Sequence, residues 1–242
     1  MAETTSQMYQ GDALLILPTL AEASVDAVIT DPPYNSGGRS APERTGAKAV
    51  DKYVSGDAAS ALLGDFAGEC RDQRSYTRWL SVVLAECLRT AVPGAPLLVF
   101  SDWRQLPATS DALQMGGWTW RGVIPWYKPI ARPCRGGFRR NCEYVLWATN
   151  GPIDDARNPV YLEGWLTGSQ PRGNKRRHIT AKPVEVMRQL IKVCAPGGVV
   201  LDPFAGSGTT GVAAQMEGRA FIGIEETSHY AAVARERLCL TA

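Results

Sequence analysis

The sequence predicts an α/β protein built on a doubly wound, mostly parallel sheet. Three observations lead there. Short apolar runs such as Val25–Thr30 and Pro96–Phe100 alternate with stretches of helical period, as expected for strands buried on both faces and joined by crossover helices. Two runs end in turn chemistry that carries polar groups, Asp31-Pro32-Pro33-Tyr34 and Asp202-Pro203-Phe204-Ala205-Gly206-Ser207-Gly208-Thr209-Thr210; open α/β sheets bind ligands at such carboxyl ends of strands. The 242 residues, 45% of them hydrophobic, fit one domain carrying an insertion.

The elements follow in order. Gly11-Asp12 precedes a short apolar stretch, Ala13 to Leu20, read as a helix ending near Pro18. The Val25–Thr30 strand must stop at Pro32-Pro33, which lack amide donors. The Gly-, Ser- and charge-rich stretch 35–60 reads as a mobile lid or binding loop. From Tyr76 to Ala91, Trp79, Leu80, Val83, Leu84, Cys87 and Leu88 share one helical face, and Pro93-Gly94 ends it. Asp111 to Met115 belongs to a further helix stopped by Gly116-Gly117. Strands are expected at Val123–Tyr127 and Glu143–Ala148, then an amphipathic helix from Pro183 to Cys194 with proline early, a favoured place. Short strands Val199–Leu201 and Ala220–Glu225 flank a helix starting near Ser207–Thr209. The last helix runs from Ser228, its expected N-cap, to Leu238.

Charge is unevenly placed. The net charge is +2, yet residues 121–177 hold 11 basic and 4 acidic side chains. That basic island separates residues 1–120 from residues 178–242. It suits a polyanion, although a solvated charged loop has the same composition. The tryptophans in and around it, Trp118, Trp120, Trp126 and Trp165, read mostly as core packing. The six cysteines form no Cys-x-x-Cys pair, which indicates neither zinc nor redox motifs and favours a reduced, cytoplasmic protein. No apolar run of about 18 residues is present to suggest a membrane span, and no secretory signal is evident.

The segment 202–210 reads as strand, Gly-x-Gly turn and helix, the layout for an adenosine-containing cofactor. Glycines admit backbone close to a ligand, and the helix start offers unpaired donors. An acid on the next strand end can bind ribose hydroxyls; Glu225 stands near the expected spacing of about 20 residues. The third glycine of a dinucleotide fingerprint is missing. At Asp31–Tyr34, a carboxylate can accept a hydrogen bond from an exocyclic amino group, and the Tyr34 ring offers a face for a base. Each motif alone is also ordinary turn chemistry.

Taken together and in this order, the two motifs closely resemble those of the S-adenosylmethionine-dependent DNA amino-methyltransferases, in the arrangement of their beta group. The resemblance covers residues 9–34 and 178–240 well and 143–151 more loosely. Gly11-Asp12 resembles the segment whose acid lies near the cofactor adenine. His178-Ile179-Thr180-Ala181-Lys182-Pro183 resembles the segment lining its methionine end, with Ile179 where proline is usual. Phe221–Glu225 resembles the ribose-binding strand.

The resemblance implies a Rossmann-like methyltransferase fold with a seven-stranded-type sheet, and methyl transfer to an exocyclic nitrogen of a flipped-out base in double-stranded DNA. Asp31, Pro32, Pro33 and Tyr34 would be the catalytic group. The cofactor, without any metal, would meet Asp12, Asp31, His178, Thr180, Lys182, Asp202, Pro203, Phe204, Ala205, Gly206, Ser207, Gly208, Thr209 and Glu225. Residues 121–177 would be an inserted target-recognition segment of an α/β domain formed by 1–120 and 178–242, with DNA held by Arg132, Arg135, Arg139, Arg140, Lys175, Arg176 and Arg177. Aspartate at the head of the tetrapeptide points to adenine N6, with cytosine N4 the near alternative and a catalytically silent DNA-binding protein the distant one. The resemblance also implies a homodimer, and the chain length leaves either a stand-alone methyltransferase or one half of a system with a separate-chain restriction endonuclease.

Overall fold

The computed structural model describes residues 6–34, 71–131, 133–169 and 182–240. The 35–60 loop, Arg132, Lys175, Arg176, Arg177, His178 and Thr180 lie outside these. Within them an eight-stranded sheet runs in the order β1-β8-β7-β2-β3-β5-β4-β6. Its strands are β1 (Gln7–Gln10), β2 (Ala27–Thr30), β3 (Pro96–Ser101), β4 (Thr119–Tyr127), β5 (Cys142–Thr149), β6 (Leu166–Thr167), β7 (Val199–Asp202) and β8 (Ala220–Glu225). The run from β1 through β3 is wholly parallel. β5 then inserts antiparallel to both β3 and β4, and β6 lies parallel to β4.

Among the described residues six helices cover the sheet: α1 (Ala13–Ile16), α2 (Gln73–Thr90), α3 (Leu106–Met115), α4 (Val184–Ile191), α5 (Thr209–Met216) and α6 (Ser228–Arg237). The alternation of side chains along each strand sorts them into two layers. Val28, Leu97 and Val99 face a core with Leu80, Leu84 and Leu113 of α2 and α3. Ala27, Ile29, Leu98 and Phe100 face Met187, Leu190, Ala213 and Ala234 of α4, α5 and α6. Both faces of β2 and β3 are therefore covered, which is why those strands are apolar up to their last residues, Thr30 and Ser101, and not alternately polar.

Local chemistry sets the ends. The Asp72 carboxylate accepts from the Ser75 amide at 2.8 Å and caps α2, so the helix begins earlier than its apolar face suggested. Pro18 closes α1 into a short 3-10 turn, Leu17–Thr19. Pro183 is the N-cap of α4. The expected cap of the last helix needs correction: Thr227, not Ser228, holds that position and makes no side-chain cap bond. The Glu225 carboxylate accepts the Thr227 amide at 2.8 Å instead.

Trp118 and Trp126 are buried, whereas Trp120 and Trp165 are 43% and 52% exposed. Three strands of the basic segment, β4, β5 and β6, belong to the main sheet, leaving a hairpin over 128–141 and the stretch 150–165 outside it. Cys87, Cys134, Cys142, Cys194 and Cys239 are free thiols. Among the described residues, no helix is long and apolar enough to cross a membrane.

Candidate active site

The chain leaves β2 toward β3 on one side and β7 toward β8 on the other, so the β2–β7 boundary is where the winding reverses. Ligands of doubly wound sheets bind outside such a boundary. Both sequence motifs begin there, Asp31 following β2 and Asp202 ending β7. A buried hydrogen bond joins them: the Thr30 hydroxyl donates to Asp202 Oδ1 at 2.7 Å.

Asp202 organises the glycine loop. Its Oδ1 also accepts the Phe204 amide at 3.0 Å, and Oδ2 accepts the Thr210 hydroxyl at 2.6 Å. Gly206 and Gly208 take φ of 52° and 77°, a left-handed region in which a β-carbon is strained. A β-carbon on Gly208 would stand 3.0 Å from that of Ala234. The Gly206 amide donates to Glu225 Oε2 at 2.9 Å, so the loop is tied to the end of β8. Arg237 donates to the Ser207 carbonyl at 2.5 Å and braces it from α6. Asp12 caps α1 through the Leu14 amide at 2.9 Å, while the Gly11 amide reaches the Glu225 carbonyl. Phe204 packs on Trp79 with centroids 5.2 Å apart. Asp12, Glu225 and the glycine turn thus follow three adjacent strand ends, a donor-and-acceptor set that fits an adenosine-bearing cofactor.

Burial pushes the Asp202 carboxyl up to about 6 against its hydrogen bonds from Thr210, Thr30 and Phe204, with Asp31 adding to the rise. Folding therefore favours the protonated form. Its stabilising contribution is full below the unfolded value near 4, declines as pH rises, and is lost above about 6. Carbon-13 titration of this carboxyl should give that midpoint, and Asp202→Asn should remove this part of the pH dependence of unfolding.

The second centre is a charged cluster. Tyr34 donates to Asp31 Oδ1 at 2.6 Å, and Lys182 Nζ donates to Asp31 Oδ2 at 2.5 Å. Lys182 is 6% exposed. Its ammonium lies 5.2 Å from the Tyr34 ring centroid and 5.0 Å from that of Phe100, and 3.6 Å from Glu143 Oε2. Glu143 Oε1 accepts from Lys128 Nζ at 2.6 Å. Two anions and two cations therefore meet at the carboxyl edge of the sheet. Burial raises the Asp31 carboxyl in spite of Lys182. Burial would also lower Lys182 and raise Glu143, but their opposite partners outweigh it and hold both charged. Burial, then Asp31, pushes the Tyr34 hydroxyl well above its ordinary value.

The structure thus brings Asp31, Pro32, Pro33 and Tyr34 to the same edge as Asp202–Thr209, Glu225 and Asp12. It sets Lys182 directly against Asp31. Glu143 and Lys128 were not singled out in the sequence. Their only signal is a lone acid opening an apolar strand after a run of arginines. Arg135, Arg139 and Arg140 are exposed on the 128–141 hairpin, and Arg140 lies 5.6 Å over the Trp103 ring. Among the described residues no group of His, Cys, Asp and Glu is placed to hold a metal ion.

A glycine turn at the winding reversal of a doubly wound sheet, with a carboxylate–tyrosine pair beside it, is suited to hold an adenosine-bearing cofactor next to a polar target group. A model of the N6/N4 DNA methylases matches residues 25–236, and the chain belongs to that family. The YubD protein of Escherichia coli (strain K12) is 31% identical over 235 residues, spanning 96% of this chain and 90% of that protein. The crystal structure of an M1.HpyAVI–SAM complex is 26% identical with a TM-score of 0.68, covering 98% of this chain and all of that one. The cytosine-N4-specific PvuII DNA methyltransferase has the same fold, with a TM-score of 0.68 at 19% identity over 96% of this chain and 87% of its own.

Proposed function

We propose that this protein methylates the N6 amino group of adenine in double-stranded DNA, using S-adenosylmethionine and a target base turned out of the duplex. The reading is carried by one observation, the Asp31 carboxylate and Tyr34 ring joined through Thr30 and Asp202 to the glycine turn. When bound, S-adenosylmethionine supplies an electrophilic methyl group. The Gly206–Thr209 turn, Glu225 and Asp12 would hold it.

The amino nitrogen of adenine is a weak nucleophile because its lone pair is delocalised into the ring. Asp31 accepts a hydrogen bond from it, and the Pro32 carbonyl takes the second N–H. Both favour the tetrahedral nitrogen of the transition state over the flat ground state. Tyr34 stacks on the extruded base, and fixing nitrogen against the methyl donor supplies much of the rate. Aspartate at position 31 supports adenine; cytosine N4 is the second reading, supported by the fold shared with the PvuII enzyme. Incubation with labelled S-adenosylmethionine and mixed-sequence DNA, followed by nucleoside mass analysis, decides. Label on N6-methyladenine is expected; label only on cytosine, or none on DNA, defeats the adenine reading.

The exposed arginines of the hairpin are proposed to hold DNA phosphates. Replacing Arg139 and Arg140 with Ala should weaken binding at all sequences and reduce the salt slope by about 2. Filter binding across several salt concentrations checks this. The same reading has the protein act as a homodimer beside a separate-chain restriction endonuclease. The exposed apolar side chains of Ile153, Val160, Tyr161, Leu162 and Trp165 support self-association, which sedimentation measures directly.

A further inference from the structure

We infer that Glu143 is a positioning residue: it receives the Lys182 ammonium when Asp31 turns to the amino group of the target base. The inference rests on the function proposed above. Both oxygens of Asp31 already have partners, the Tyr34 hydroxyl at 2.6 Å and the Lys182 ammonium at 2.5 Å. An incoming N–H meets a carboxylate whose Oδ2 is committed to a full positive charge, and that weakens it as an acceptor.

Lys182 cannot withdraw into water, because its side chain is only 5% exposed and the rings of Tyr34 and Phe100 enclose the ammonium. Leaving Asp31 without a second anion would strand a buried charge. Glu143 is that second anion. Its Oε2 lies 3.6 Å from the same Nζ, buried and without a hydrogen bond among the described residues. Its Oε1 is anchored on Lys128 at 2.6 Å. The carboxylate is thus held at one oxygen and open at the other, toward Lys182. A torsional change at the end of the lysine exchanges one carboxylate for the other. No bond is made or broken and no proton moves.

The groups facing Asp31 are Lys182 ahead of α4, Tyr34 on its own loop, Glu143 of β5 with Lys128 behind it, and Asp202 of β7, while Tyr76 of α2 faces Tyr34. Among them Glu143 pushes the Asp31 carboxyl up, while Lys182 pulls it down.

The test uses the full-length chain, S-adenosylmethionine and unmethylated plasmid DNA. Glu143→Gln should lower kcat roughly tenfold to a hundredfold, as when a group that orients a reacting one is removed, with little change in KM for the methyl donor. The acid limb of its kcat–pH profile should move to lower pH, because a negative neighbour of Asp31 is gone. Lys128→Met should move the same limb to higher pH. Thermal unfolding and calorimetric binding of S-adenosylmethionine establish that both variants fold. Folded variants whose acid limbs stay at the wild-type position overturn the inference. Should the wild type transfer no methyl group to DNA, the proposed function fails. The carbon-13 titration of Asp31 then decides this inference separately: a midpoint lowered by Glu143→Gln and raised by Lys128→Met supports it, and an unmoved midpoint overturns it.

Discussion

Asp31→Asn should reduce methyl transfer to DNA by a factor on the order of 10²–10³ while leaving the fold in place. The amide keeps the shape of the carboxylate but presents half the acceptors and no charge to the amino group. The loss should therefore appear in the rate of a single turnover more than in binding of the methyl donor, whose glycine turn and Glu225 are untouched. Transfer of tritiated methyl to DNA measures it, and a variant with wild-type turnover would remove Asp31 from the reaction.

Lys182→Met should destabilise the protein by about 3–5 kcal/mol, the cost of breaking a buried ion pair from one side. The Lys182 side chain is 5% exposed, with those of Asp31 and Glu143 at 21% and 13%. Without the ammonium, two largely buried carboxylates are left without the cation between them. Urea denaturation of the variant gives the figure. The double variant with Asp31→Asn should recover part of it, since one of the stranded charges is then gone; additive losses would show that the two side chains do not act on each other.

The parts of this site that were legible in the sequence are those whose chemistry is local. A strand that must stop at Pro32-Pro33 announces Asp31 and Tyr34. Gly206 and Gly208 sit at positive φ, and only a glycine-bearing turn reaches the helix start from β7 in so few residues. Glu225 follows from spacing alone. The partners of Lys182 were not legible, because nothing along the chain relates residues 31, 128, 143 and 182. They meet only because β5 inserts antiparallel beside β3 and brings Glu143 to the carboxyl edge.

β1 was missed for another reason: Gln7–Gln10 buries one side chain, Met8, on an edge, too little to leave an apolar pattern. β6 has two residues and is held by pairing with β4. The cap at Thr227 went unseen because Glu225, already counted for the cofactor, supplies the acceptor.

The antiparallel placement of β4 and β5 has a consequence for how far the 128–141 hairpin can vary. The stem of the 128–141 hairpin is closed by its own ladder, with Lys128 and Glu143 paired across its base. Everything beyond that pair is free to lengthen or be exchanged, since each doubling of a loop adds only about 0.6 kcal/mol of closure entropy. The stem is in effect a socket, and segments of different size can be fitted to it while Asp31 stays where it is.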